Sequence, residues 1–434
     1  MWQSLHWQAL NAPLDYALRK ILESFHPSDE IRRLPSVLWG IGSLVAFGAL
    51  LFRRAGRAAA LSASLLLATA PYHLRYSQEV RPYALGLFLL SASLFFLDRY
   101  LAANRRPDLV LLYFLSLATL YTLYLAGLIL AIAAAALVTE DAFDLEATRR
   151  AQARRFLSRS PFFVLALGAG YAPWLPTVLQ AIRQPAITTP PGWSPRRIGR
   201  FVSYFGFAPG DGFPLRISDL LFGVLLVAGL VLAIRGPRLR FLGVWGVGGV
   251  AILEILEHQH SSYDSIFHWL PAGLGLTALA GIALGRLITS PLSIGLRVAV
   301  MIGVLWIALD SDVTYFRSGR PDWRPMARFL AATPRSERIF VENQYTQLCL
   351  GYYMVGPDWL CCKIAEQREI ANLDGELSRL VRAWDRNGNA WLVLAAGPQS
   401  EELRSWSRPF PSVPFPSAEA AGGGVVVSLR RAGS

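Results

Sequence analysis

Eight stretches without a single charged residue shape this chain: Leu34–Phe52, Ala58–Tyr72, Pro82–Leu97, Leu109–Thr139, Pro161–Ile182, Leu220–Ile234, Phe241–Leu253 and Trp269–Gly285. Stretches of this length and polarity read as transmembrane helices, each of which needs about 20 apolar residues to cross a bilayer. Composition agrees. Hydrophobic residues make up 53% of the 434 and charged residues only 17%, where a soluble domain carries about 25% charged, and the mean hydropathy is +0.36. A soluble enzyme, a nucleic-acid-binding domain and a disordered chain are excluded. The expected fold class is an α-helical polytopic membrane protein of the inner (plasma) membrane. A net charge of +12 would suggest a nucleic-acid partner in a soluble protein. Here it follows from arginine-rich cytoplasmic loops, so membrane lipids are expected as partners and nucleic acid is not.

Loop charges orient the helices. Arg53, Arg54 and Arg57 fall in one connection, and Arg99, Arg105 and Arg106 in a second. Arg149, Arg150, Arg154, Arg155 and Arg159 fill a third, with Arg235, Arg238 and Arg240 in a fourth. All four share one side only if Leu109–Thr139 crosses twice, as two short or tilted helices meeting near Tyr121–Tyr124. About ten crossings of about 20 residues result, the last near Leu287–Leu309 with Arg297 interrupting it. Three regions follow: an external juxtamembrane segment at 1–33, a transmembrane domain at 34–310 and an external domain at 311–434.

The last region has a different texture. Arg338–Glu342, Ala390–Ala396 and Gly424–Leu429 read as buried strands, and Asp322–Leu330, Glu376–Trp384 and Glu401–Trp406 as helices. This alternation predicts a small α/β domain, with Ser407–Gly424, rich in Pro, Ser, Ala and Gly, as a loop. The cysteines, Cys349, Cys361 and Cys362, are odd in number, include a vicinal pair and lack zinc spacing. A bridge from Cys349 to one of the pair is the less favoured reading.

The segment Pro71–Tyr83, PYHLRYSQEVRPY, sits between two membrane stretches on the external side. It carries Arg75, Glu79 and Arg81 among Tyr72, Tyr76 and Tyr83. Arginines on the side that topology depletes need a reason, and guanidinium groups match phosphate oxygens bidentately. Arg75, Arg81 and Tyr83 are candidate phosphate contacts, with Glu79 orienting Arg81 or binding a sugar hydroxyl. An interfacial aromatic belt with an Arg–Glu pair accounts for the same residues equally well.

Tyr76–Leu85 (YSQEVRPYAL) resembles the signature after the third membrane helix of bacterial GT-C glycosyltransferases, the relatives of protein O-mannosyltransferases and aminoarabinose transferases. Ala12–Tyr16 (APLDY) resembles their PPL-D-Y segment, with Ala12 in place of the first proline. Ile31–Ser36 (IRRLPS) resembles their RLPS helix entry, and Pro321–Pro325 (PDWRP) the DWR element opening their external domain. The resemblance spans most of residues 10–330 in order. It implies transfer of a sugar from a polyprenyl-phosphate donor to an acceptor lipid, glycan or protein outside the cytoplasm. It also implies an acidic base after a first membrane helix. That helix and its acidic pair are expected upstream of Met1, because Met1–Asn11 holds no acid and no export signal. Asp15 and Glu79 are the candidate catalytic acids within the chain. Asp29-Glu30 matches the acidic pair in letters only and suits a helix start.

Glu254, Glu257, His258 and His260 form a further polar group at the external end of a membrane helix. Acids at membrane depth usually face the protein interior and mark function, so these line the expected polar cavity. Glu254 and His258 have the i,i+4 spacing of a divalent-metal bridge, yet hydrated helix-end groups are the simpler account. No cofactor and no metal is expected. Arg183–Arg216 contains Arg196, Arg197 and Arg200 and reads either as a lid over the donor phosphate or as a solvated connection. Two rival functions stay open: a transporter or flippase, although the repeat symmetry of that class is not evident, and a non-catalytic lipid-phosphate-binding relative.

Overall fold

The computed structural model describes residues 13–23, 29–182, 205, 217–260, 266–291, 293–317, 323–333, 337–342, 346, 350, 353–354, 370–373, 377–387, 389–394, 401–415 and 424–429. The chain forms two compact units, Met1–Val313 and Thr314–Ser434. In the first unit, helices run as α1 Leu14–Glu23, α2 Asp29–Ala55, α3 Arg57–Ala68, α4 Pro71–Tyr76, α5 Tyr83–Ala103, α6 Arg106–Leu120, α7 Tyr124–Ala142, α8 Ala147–Tyr171 and α9 Leu175–Ile182. Beyond them lie α10 Ile217–Arg235, α11 Arg240–Gly243, α12 Gly249–His260, α13 Leu270–Ile288 and α14 Ile294–Arg317. Among the described residues, five helices are long and apolar enough to cross a membrane: Ile31–Ala55, Tyr83–Ala103, Tyr124–Ala142, Ala147–Leu179 and Leu270–Ile288. Large apolar side chains point outward on several helices, among them Phe162 and Leu165 on α8, Val227 on α10 and Trp306 on α14. Water would penalise that arrangement and a bilayer does not.

The 31-residue apolar run Leu109–Thr139 does break in two, with α6 ending at Leu120 and α7 starting at Tyr124. Side chains at the helix ends show where each end lies. Arg54, at the end of α2, makes a bidentate pair with Asp141, at the end of α7, at 2.6 and 2.8 Å, and an ion pair with Asp98 near the end of α5 at 2.6 Å. Arg149, in the first turn of α8, reaches Asp98 at 3.0 Å and Asp141 at 3.1 Å. Arg53 also binds Asp98. Since α5 and α7 both end at this cluster, α6 and α7 together lead the chain away and back. The positions Arg149–Arg159, expected as a loop, are instead the opening turns of α8. The last helix of this unit begins at Ile294 rather than Leu287, because α13 extends to Ile288 and a short turn follows. Arg297 does not interrupt it but donates to the Ile288 carbonyl at 3.2 Å.

Helix α13 is the buried centre of this unit, and small residues make that possible. Gly281 and Gly285, one turn apart, face Ala63 and Ala59 of α3 so closely that a Cβ on either glycine would collide with the alanine backbone. Without a hydrophobic drive between helices in lipid, such close backbone approach supplies the packing energy. Between α11 and α12 the helix widens into a π-turn at Val244–Gly248, where Gly246 lies against Gly275 of α13.

The second unit is a five-stranded sheet in the order β2-β1-β3-β5-β4, from β1 Arg338–Val341, β2 Ile370–Asn372, β3 Ala390–Leu394, β4 Ser412–Phe415 and β5 Gly424–Leu429. β1 pairs in parallel with β2 and β3, while β5 runs antiparallel to β3 and β4. Alternation along the strands gives two cores. Ile339, Val341, Trp391 and Val393 pack on Met326 and Leu330 of α15, Arg324–Ala331. Phe340, Leu392 and Leu394 pack with Leu380 of α16, Leu377–Asn387, and Leu403 of α17, Glu401–Ser407. Part of the expected loop Ser407–Gly424 is therefore strand β4. Its Pro414 suits an edge position, where no ladder donor is lost. The three cysteines lie outside the described residues.

Candidate functional site

The sequence-predicted residues near the N-terminal end of α2 come together around one buried arginine. Helix α1 carries Asp15 and Arg19 on one face, one turn apart, and both are buried. Ile21 and Leu22 point outward instead, the inverse of a soluble amphipathic helix and suited to a membrane interface. Arg19 Nε donates to Asp15 Oδ2 at 2.6 Å, and Nη1 donates to the Arg32 carbonyl at 2.6 Å. Nη2 is shared between Ser36 Oγ at 2.7 Å and the Arg81 carbonyl at 3.2 Å. The Ser36 hydroxyl passes on to the Glu79 carbonyl at 2.5 Å. One guanidinium thus ties α1, α2 and the turn between α4 and α5. The break between α6 and α7 joins the same site, since the Tyr121 carbonyl accepts from Leu14 N at 2.8 Å. It satisfies an N–H that a helix start otherwise leaves unpaired.

The outer layer of the site is polar and open. Arg75 Nε donates to Glu79 Oε1 at 2.8 Å, with Arg75 53% and Glu79 28% exposed. Glu79 therefore pairs with Arg75, one helical turn before it, rather than with Arg81 as the sequence suggested. The exposed Arg81 side chain acts on the Tyr16 hydroxyl instead, its positive charge opposing the effect of burial there. Arg75 lies 5.6 Å over the Tyr76 ring, and Tyr76 meets Tyr83 edge to face at 4.7 Å. Burial pushes the Asp15 carboxyl above its ordinary range even with Arg19 beside it. Burial also raises the Tyr16 hydroxyl, against the pull of Arg81.

The sequence reading missed Arg19, Ser36 and Tyr16. The i,i+4 spacing of Asp15 and Arg19 was the available signal for Arg19. Arg196 and Arg197 lie outside the described residues, as do the side chains of Glu257, His258 and His260. Glu254 sits half-buried on α12, which continues to His260. Among the described residues no three His, Cys, Asp or Glu side chains gather to hold a metal ion. Of the DWR element, Trp323 is buried in the second unit and Arg324 opens α15.

No protein-family model matches this chain, and no curated protein does. Solved structures do. ArnT from Cupriavidus metallidurans bound to undecaprenyl phosphate superposes with a TM-score of 0.55 at 15% identity, over 96% of this chain and 87% of that one. Its apo form gives 0.54 at 14% identity over the same shares. The resemblance to GT-C glycosyltransferases carried by the motifs thus extends to the fold of nearly the whole chain.

Proposed function

We propose that this chain is a membrane glycosyltransferase that moves a sugar from a polyprenyl-phosphate donor to an acceptor on the external face of the inner membrane, with its C-terminal unit on that face. The observation that carries the reading is the placement of Arg75, Arg81 and Glu79, two guanidinium groups and a carboxylate open to solvent, at one end of a bundle whose fold is similar to that of a protein bound to undecaprenyl phosphate. In this reading the acceptor oxygen bonds to the anomeric carbon as the bond from that carbon to the phosphate oxygen breaks. The lipid phosphate leaves with its charge on Arg75 and Arg81, which match its oxygens in geometry. The acceptor proton passes to Glu79. Asp15 is closed off from solvent and acts through Arg19, which fixes the backbone at residues 79 and 81.

The test is binding of undecaprenyl phosphate to the purified full chain. Arg75→Ala and Arg81→Ala are each expected to weaken it at least tenfold without lowering the melting temperature, since both side chains are exposed. Unchanged binding in both variants would overturn the reading.

A further inference from the structure

At the opposite, arginine-rich end of the first unit, a half-open cleft of about 300 Å³ is lined by Arg53, Phe95, Arg99, Ala103, Arg105 and Asp108. Its charges are unbalanced. Arg53, on the cleft side, pairs with Asp98, which Arg54 and Arg149 also share, while Arg149 has further carboxylates in Asp141 and Glu146. Arg99 pairs with Asp108 Oδ1 at 3.2 Å and lies 5.6 and 5.5 Å over the rings of Phe95 and Phe96, which hold its guanidinium plane at the cleft wall. Arg105, in the short connection where Asn104 takes a left-handed conformation (φ 50°), is exposed and pairs with no carboxylate among the described residues. Asp108 also lines the cleft; its side chain is 3% exposed, and its second oxygen, Oδ2, is buried with no hydrogen-bond partner. The cleft therefore presents three arginines for an anion and one orphaned acceptor for a hydroxyl.

We propose that this cleft binds the head group of an anionic glycerophospholipid. Phosphodiester oxygens sit on Arg99 and Arg105 with Arg53 behind them, and a head-group hydroxyl donates to Asp108 Oδ2. Phosphate is the anion whose oxygens match guanidinium donors, and basic pockets between membrane helices favour anionic head groups. A lipid fits better than a soluble phosphate because the same helices continue into apolar surface open to the bilayer: Phe52 on α2 and Val110, Leu111 and Phe114 on α6. Acyl chains lie along that surface while the head group fills the cleft.

The test is native mass spectrometry of the full chain in detergent, titrated with phosphatidylglycerol, phosphatidic acid, phosphatidylcholine or free glycerol 1-phosphate. Phosphatidylglycerol is expected to bind at least tenfold more tightly than phosphatidylcholine. Arg105→Ala should reduce that binding at least fivefold, and Arg159→Ala, at another exposed arginine outside the cleft, should not. Asp108→Asn should weaken phosphatidylglycerol but leave phosphatidic acid, which lacks the hydroxyl, unchanged. Arg105 makes no pair, so its variant remains informative if changes at Asp108 disturb folding. Equal affinity for all head groups, or an unaffected Arg105→Ala, would overturn the proposal. Glycerol 1-phosphate binding as tightly as the lipid would overturn the assignment to a lipid.

Discussion

Arg54 and Asp141, 87 residues apart, meet through two parallel hydrogen bonds of 2.6 and 2.8 Å with both side chains fully buried. Such a pair contributes less than its geometry suggests, because both charges have lost their water. Breaking it is another matter. Asp141→Ala leaves Arg54 with Asp98, which Arg53 and Arg149 also share, and loss of one partner in a buried pair costs about 3–5 kcal/mol. We expect a large fall in melting temperature in detergent, with Arg54→Leu combined with Asp141→Leu milder than Asp141→Ala. If the double variant is the worse of the two, the cluster is held by more than charge.

Arg19 invites a different experiment, because its loss should loosen one helix rather than the bundle. Arg19→Ala removes the donors to Asp15, Arg32, Ser36 and Arg81 together and leaves Asp15 buried without a cation. Helix α1, whose Lys20 side chain is already exposed, should detach and let trypsin cut at that residue, while the bundle keeps a melting temperature close to the parent's, since among the described residues its main apolar core includes none from α1. Donor binding should fall with it, since the turn at residues 79–81 is no longer fixed. Unchanged trypsin sensitivity would show that the Leu14–Tyr121 backbone bond suffices to hold α1.

These two arginines mark what the sequence made legible. The apolar runs and the arginine loops located the helices, and the requirement of one basic side correctly split Leu109–Thr139 near Tyr121. Strands of the second unit were readable where apolar residues run together, as in Ala390–Leu394. Ser412–Phe415, short and holding a proline, was not, because its pairing comes from β5. At the site, motif spacing pointed to Arg75, Glu79 and Arg81. The Asp15–Arg19 spacing was local, but the bonds from Arg19 and Ser36 to backbone carbonyls up to 62 residues away are encoded by no local pattern. Asp98 and Asp141 were hidden for the same reason, as their partners lie on other helices.

Gly281 tests the packing of α13. A Cβ there overlaps the Ala63 backbone, so Gly281→Ala forces α3 and α13 apart. We expect about 1–3 kcal/mol of destabilisation, the usual cost of overpacking. Gly295→Ala, where nothing lies within contact distance, should be neutral or slightly stabilising in its helix. Equal effects at both positions would mean that helix propensity, not close approach, governs the change.

The connection between α7 and α8 holds a pair that responds to acid. Arg238 Nε lies 2.6 Å from Asp144 Oδ2, and Nη2 lies 2.6 Å from Glu146 Oε2. Burial alone would raise the Asp144 carboxyl, but Arg238 and the Glu146 N–H hold it below its ordinary value. A carboxylate with a depressed pKa in the folded state stabilises above its unfolded pKa and loses that contribution as pH falls through the folded value. Asp144→Asn should therefore cost about 1 kcal/mol at neutral pH, as a partly exposed ion pair does. Melting curves of the variant and the parent should converge as pH falls below the ordinary aspartate range and through the depressed value of Asp144. A constant difference across that range would remove Asp144 as the titrating group.

Sidedness can be read chemically. With Cys349, Cys361 and Cys362 replaced, a single cysteine is placed either at Ser378, exposed on α16, or at Ala151, exposed among the arginines that open α8. Ala151 lies two residues beyond Arg149, whose side chain joins the Arg54–Asp141 cluster, so it marks the arginine-rich end. Positive residues stay cytoplasmic in short loops, and the proposed transfer needs the C-terminal unit on the other side. A membrane-impermeant maleimide added to intact cells should therefore label the cysteine at 378 and miss the one at 151, and permeabilised cells should label both. Labelling at 151 alone would invert the topology and move Arg75, Glu79 and Arg81 to the cytoplasmic face, where the external transfer proposed for them has no place.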